Sequence, residues 1–154
     1  TRKRSSAASD VYKRQEPAWS PDGSQIAFTS GRGGNPQVYV ISVNGGNARR
    51  VTFEGKSNQR PSWSADGRQL TLVQSGQGGY RIAVMDVASG NMQIVSDGRL
   101  DESPGFAPNG QTIIYTRSAG RNSELATVSV DGRVKRRLHQ RGDVREPAWS
   151  PFLK

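Results

Sequence analysis

The residues best suited to chemistry stand just ahead of a recurring proline. They are Glu16 before Pro17, Asn58, Gln59 and Arg60 before Pro61, Asp101, Glu102 and Ser103 before Pro104, and Asp143, Arg145 and Glu146 before Pro147. These runs offer both signs of charge together with donors and acceptors, which suits recognition of a polar partner rather than bond-making. Covalent chemistry finds little support. The sequence has no cysteine and one histidine, His139, so thiol catalysis, disulfides and cysteine-ligated zinc are excluded. It also lacks the G-x-S-x-G elbow that presents a nucleophilic serine. Gly55-Lys56-Ser57 imitates the end of a phosphate-binding loop, but Arg50 stands where that loop needs its first glycine. Gly76-Gln77-Gly78-Gly79 fails the dinucleotide fingerprint because Arg81 takes the last glycine position. The expectation is therefore a non-enzymatic chain with no cofactor. Asp97, Asp101 and Glu102 are the acids that would gather around calcium if an ion were held, since hard cations prefer oxygen ligands.

The elements that position these residues come from an internal repeat. Pro17-Ala18-Trp19-Ser20-Pro21-Asp22-Gly23 aligns with Pro61-Ser62-Trp63-Ser64-Ala65-Asp66-Gly67, then with Pro104-Gly105-Phe106-Ala107-Pro108-Asn109-Gly110 and Pro147-Ala148-Trp149-Ser150-Pro151. The leading prolines are 44, 43 and 43 residues apart, a propeller-type period. After each Asp-Gly or Asn-Gly turn comes a β-rich segment: Gln25–Ser30, Gln69–Ser75 and Gln111–Arg117. Alternating apolar segments follow at Gln37–Val43, Tyr80–Val87 and Glu124–Val130. Charged segments, Ala48–Phe53, Met92–Ser96 and Val134–His139, read as outer edge strands, where Arg49, Arg50, Arg136 and Arg137 discourage edge-to-edge pairing. Four short strands joined by tight turns make one antiparallel propeller blade. The predicted fold is all-β: about three four-stranded blades (repeats 17–60, 61–103 and 104–146) and one terminal inner strand (147–154). Trp19, Trp63, Phe106 and Trp149 fall on inner strands, placed to fill the space between sheets. Three blades are fewer than the 4–8 that close a ring, so the chain reads as an arc of a larger propeller whose end faces expose apolar sheet and favour association.

The chain has 154 residues and a net charge of +9, and no apolar run approaches the roughly 18 residues of a membrane helix. Residues 1–15 hold five basic side chains and one acid without the period of the rest, so they read as a disordered or foreign tail. They also lack the apolar stretch of a signal peptide. The remaining excess is spread too thinly to favour nucleic acid as a partner.

The PxWSPDG…IAF repeat resembles the blade shared by TolB and by the propellers of prolyl oligopeptidase-like and tricorn-type peptidases. Gly34–Gly46, Ile82–Gly90, Leu100–Gly110, Asp131–Leu138 and Pro147–Leu153 sharpen the resemblance to the C-terminal half of the TolB family. It implies a periplasmic, non-enzymatic component of the Tol-Pal envelope system that supports outer-membrane integrity, with a six-bladed propeller docking the lipoprotein Pal. Colicins, and other Tol proteins through the family's N-terminal domain, are further implied partners. TolA contact is expected to be absent and Pal binding impaired in this chain. By resemblance, the polar residues ahead of the prolines ring the channel mouth where Pal is met, and Glu16 matches an acidic family position there. The second reading is a peptidase propeller that gates substrate access.

Overall fold

The computed structural model describes residues 14–76, 78–140 and 142–150. Twelve strands form three four-stranded antiparallel sheets, each in simple sequence order. Blade 1 contains β1 (Arg14–Trp19), β2 (Gln25–Ser30), β3 (Gln37–Ser42) and β4 (Arg49–Arg50). Blade 2 contains β5 (Ser57–Trp63), β6 (Gln69–Gly76), β7 (Gly79–Asp86) and β8 (Met92–Ile94). Blade 3 contains β9 (Asp101–Phe106), β10 (Thr112–Ala119), β11 (Asn122–Ser129) and β12 (Lys135–Leu138). Among the described residues there is no helix, and none long and apolar enough to cross a membrane.

Alternation assigns the faces. Leu70 and Leu72 of β6 and Ala83 and Met85 of β7 pack with Ala27, Val38 and Val40 of blade 1. The residues between them, Val73, Ile82, Val84 and Val95, turn to the opposite side and meet Ile113, Tyr115 and Val128 of blade 3. A one-residue slip in register would exchange these sets, so the two cores fix the stacking order. The inner-strand aromatics join blades as predicted where a blade precedes them. The Trp63 indole N–H donates to the Ala18 carbonyl at 3.0 Å, and Phe106 is 9% exposed in the second core.

Three boundaries differ from the sequence expectation. Arg14 and Gln15 belong to β1, paired with Ser30 and Thr29; the rest of the opening segment lies outside the described residues. The polar runs at Asn58–Arg60 and Asp101–Ser103 are not inter-blade loop but the first residues of inner strands β5 and β9. Finally, the expected closing strand is not a strand over Pro147–Ser150. A ladder needs a neighbouring backbone, and among the described residues no second strand of a further blade lies beside this segment. Residues 151–154 lie outside the described residues.

Candidate functional site

Each inner strand is interrupted at the same place. The residue before every repeat-opening proline has a positive φ: Glu16 at 61°, Arg60 at 56°, Ser103 at 52° and Glu146 at 51°. Among the described residues they are the four non-glycine residues with this conformation, which for an L-residue is costly and is made more so by the following proline. The ladders skip at the first three of these points, between Gln15 and Ala18, between Gln59 and Ser62, and opposite Ile114 and Thr116. Such a bulge re-aims the side chain it carries. Strained backbone of this kind clusters at functional sites.

Successive re-aimed side chains reach one another across blades. Arg60 Nε lies 3.0 Å from Glu16 Oε1. Its Nη1 donates to Ser103 Oγ at 2.7 Å and stands 3.9 Å from Glu102 Oε2. The Arg60 backbone N–H is held by Thr29 Oγ1 at 3.2 Å. Partial burial pushes the Glu16 carboxyl above its ordinary value against the pull of Arg60, and the charges of Glu146 and Glu102 push the same way. Four acid and base groups from three blades and the terminal segment thus share one field. A hollow of about 190 Å³ opens between them, lined by Arg60, Glu102, Ser103, Thr116, Arg145 and Glu146 among others. Asp143 stands at its edge. Its Oδ1 accepts the Ser123 backbone N–H at 2.8 Å and its Oδ2 lies 3.2 Å from Arg145 Nε. The Ser123 bond holds its carboxyl below the usual range.

Not all the predicted residues face outward. Asn58 and Asp101 are fully buried, both 0% exposed, and are withdrawn from the partner-facing set. They stand three residues before their prolines, two residues behind the bulge, and alternation turns them into the blade joint. Asn58 Nδ2 donates to Gln37 Oε1 at 2.9 Å and to the Glu54 carbonyl at 2.7 Å. Gln37 Oε1 also accepts from Thr52 Oγ1 at 2.7 Å. Asp101 Oδ2 accepts the Gly98 N–H at 2.9 Å, and burial raises its carboxyl above the ordinary value. Gln59 is half-buried and turns its amide to Ser57 Oγ at 3.3 Å. The exposed or half-exposed members that remain are Glu16, Gln59, Arg60, Glu102, Ser103, Asp143, Arg145 and Glu146.

Of the candidate calcium acids, Asp97 is paired with two cations. Asp97 pairs with Arg117 at 2.8 Å and Lys135 at 3.4 Å, and those cations, against a burial cost, hold it below its ordinary value. Among the described residues no three histidine, cysteine or acidic side chains are arranged to hold a metal ion. Nothing in the sequence pattern marks Arg117 and Lys135 as partners of Asp97. They lie 20 and 38 residues away, and strand pairing alone makes them neighbours. Thr116 of the hollow is likewise unmarked, although it occupies the same place in its repeat as Thr29.

The TolB beta propeller domain pattern matches residues 3–153. The chain belongs to the TolB β-propeller family. The TolB protein of Bordetella pertussis is 51% identical over 140 residues, which is 90% of this chain and 32% of that protein. The crystal structure of TolB from Acinetobacter baumannii superposes with a TM-score of 0.83 at 42% identity, covering 89% of this chain and 35% of the other. The chain thus spans about a third of the length of these TolB relatives. An acylaminoacyl peptidase from Pyrococcus horikoshii superposes with a TM-score of 0.60 at 18% identity over 83% of this chain and 25% of that one. That likeness is one of fold alone. The TolB relatives carry the name of the Tol-Pal system.

Proposed function

We propose that this TolB-type arc is a non-enzymatic docking module of the periplasm, that its partner is the lipoprotein Pal, and that the channel mouth is where the two meet to support outer-membrane integrity. The observation that carries the reading is the Glu16–Arg60–Ser103 chain. Charged and polar groups are held on a strained backbone, half exposed, and paired across blades instead of within their own turns. Such a rim gives register and orientation to an inserted polar segment, because each group already has a complementary neighbour that a partner must match or displace. Exposed pairs of this kind contribute only about 0–1 kcal/mol to folding, so their arrangement answers to recognition more than to stability. The bulges serve the same end: each residue that precedes a proline leaves the pleat at the channel mouth.

The test is titration of purified Pal against this chain and against Glu16→Lys and Glu102→Lys. Reversal of either charge faces Arg60 with a like charge and weakens binding, while the melting temperature stays within a degree or two of the parent, roughly the change expected of a surface substitution. Unchanged affinity in both variants removes the rim from the docking site. A loss of binding together with a large loss of stability would assign these residues to folding instead.

A further inference from the structure

We propose that the hollow beside the rim seats one cationic side chain, a lysine or arginine carried by the docking partner, with its aliphatic stem against Leu100 and its charged head toward Glu102 and Glu146. This rests on the docking reading above and names the chemistry that the rim selects. Two joints of the same chain make the case. Ser57, Gln59 and Ser75, at the joint between blades 1 and 2, hold the repeat positions that Leu100, Glu102 and Ser118 hold between blades 2 and 3, each 43 residues further on. At the first joint the place is closed. Ser57 is 7% exposed, its Oγ lies 2.7 Å from Ser75 Oγ, and it accepts the Gln59 amide at 3.3 Å. At the second joint Leu100 can make neither bond. It is 47% exposed, and with Glu102 and Ser118 it lines the hollow of about 190 Å³. Both joints lie between blades that the chain itself supplies, so the difference comes from these side chains.

The charges around the hollow select the occupant. Its two cations are already engaged, Arg60 by Glu16 at 3.0 Å and Ser103 at 2.7 Å, and Arg145 by Asp143 at 3.2 Å. Its two acids are not. Glu102 comes no closer to a cation than 3.9 Å, at Arg60 Nη1, and Glu146 forms no ion pair among the described residues. Their surplus charge is felt at Glu16, whose carboxyl both of them push upward. An independent feature points the same way: Thr116 is 5% exposed, lines the hollow, and its buried Oγ1 has no hydrogen-bond partner. That oxygen can accept an N–H from an ammonium or guanidinium head.

Size and shape fit such a side chain. The hollow is smaller than the roughly 300 Å³ at which small-molecule sites begin, and Leu100 is the one apolar residue in its lining. Lysine and arginine lay their methylene stems along apolar surface while the charged end stays among polar groups, which matches one apolar wall facing two carboxylates. The wall is also fixed before anything arrives. The Ser118 N–H donates to the Leu100 carbonyl at 3.1 Å, and the Tyr80 N–H to the Arg99 carbonyl at 2.8 Å. Gly79, at φ 125°, lets that crossover lie close, since a Cβ there would collide with the Arg99 carbonyl oxygen. A seat already in its binding conformation costs little ordering when it is filled.

The experiment is titration of purified Pal against the full chain and against Leu100→Ala, Glu102→Gln and Glu102→Lys, at low and at physiological salt, with melting temperatures measured alongside. Leu100→Ala is expected to weaken binding about threefold to tenfold and to leave its salt dependence unchanged. Glu102→Gln weakens it about tenfold and flattens the salt dependence, because a charge pair is lost. The lysine and arginine residues of Pal are then reversed to glutamate one at a time; one reversal weakens binding to the parent chain and restores binding to Glu102→Lys. Glu16→Lys separates this inference from the reading beneath it. If Glu16→Lys weakens binding while Leu100→Ala and Glu102→Gln do not, the rim docks Pal with the hollow unfilled, and the inference falls alone. If the parent does not bind, or every variant binds like it, the docking reading falls and takes the inference with it. Failure of every Pal reversal to restore binding to Glu102→Lys overturns the cation seat.

Discussion

The two ends of the blades solve the same problem of placing polar groups by opposite means. At the tight turns the acids are satisfied by their own neighbours: Ser20 Oγ donates to Asp22 at 2.6 Å, Ser64 Oγ to Asp66 at 2.6 Å, and Ser129 Oγ to Asp131 at 2.5 Å. Each bond spans two residues. At the opposite end, ahead of the prolines, Arg60 is satisfied by Glu16 and Ser103, 44 residues behind it and 43 ahead. A group whose partner is local stays paired whatever binds nearby. A group whose partner lies in another blade is held by the fold and can be offered to an incoming surface. The difference separates an end whose polar groups close within their own turns from an end whose polar groups are shared between blades.

The strongest way to sharpen the contrast is to cut a buried cross-blade tie. Asn58→Ala removes the bonds to Gln37 and Glu54 and leaves polar atoms unsatisfied in the joint, so it is expected to cost about 2–3 kcal/mol in urea unfolding. If it costs no more than loss of the Asp66 turn, the cross-blade ties do not hold the arc together. Next in size is Asp101→Asn. The folded pKa of Asp101 is raised, chiefly by burial, so its contribution is present when it is protonated and is lost as pH rises from its ordinary 3.8 through the folded value. The amide variant is therefore expected to be more stable at neutral pH and to show a flatter decline of stability from mildly acid to neutral pH. An unchanged slope would mean that Asp101 carries no such burden.

The tight-turn acids predict the opposite sign. Bonds from Ser20 and Ser24 hold Asp22 at about 2 against an ordinary 3.8, so its contribution is present above 3.8 and fades as pH falls toward about 2. Asp66 and Asp131 are displaced in the same direction, first by the bonds from Ser64 and Ser129. Thermal melts across that acid range should show the steepest loss there, and Asp22→Asn should soften it. The smallest effect is expected from Ser103→Ala, which deletes one hydrogen bond to Arg60 and costs about 0.5–1.5 kcal/mol or less. A larger loss in melting experiments would make the rim structural and erase the distinction between the two ends.

The blades were legible because their signals are local. The Asp-Gly and Asn-Gly turns, the alternation of Gln37–Ser42 and the recurring Pro-x-Trp place the strands of all three blades within a few residues of where they lie, and the arginines of β4 and β12 mark outer edges. Most of the candidate rim could be named from its position before each proline. What could not be read was orientation. Sequence shows that Asn58 and Asp101 are polar, as Arg60 and Ser103 are, and polarity suggests exposure. Only the bulge decides that the first pair turns into the joint and the second pair turns out. A residue before proline is ordinarily extended, so the local rule pointed away from the conformation that matters most. The ion pairs of Asp97 were hidden for a related reason: register, not nearness along the chain, brings Arg117 and Lys135 to it.

The four residues that precede these prolines are Glu16, Arg60, Ser103 and Glu146, yet their φ values fall within ten degrees of one another. Backbone shape at these sites is therefore indifferent to what hangs from it. On the proposed docking role, the mouth resembles a socket with interchangeable pins, whose letters can be rewritten one at a time while the frame that holds them stays still.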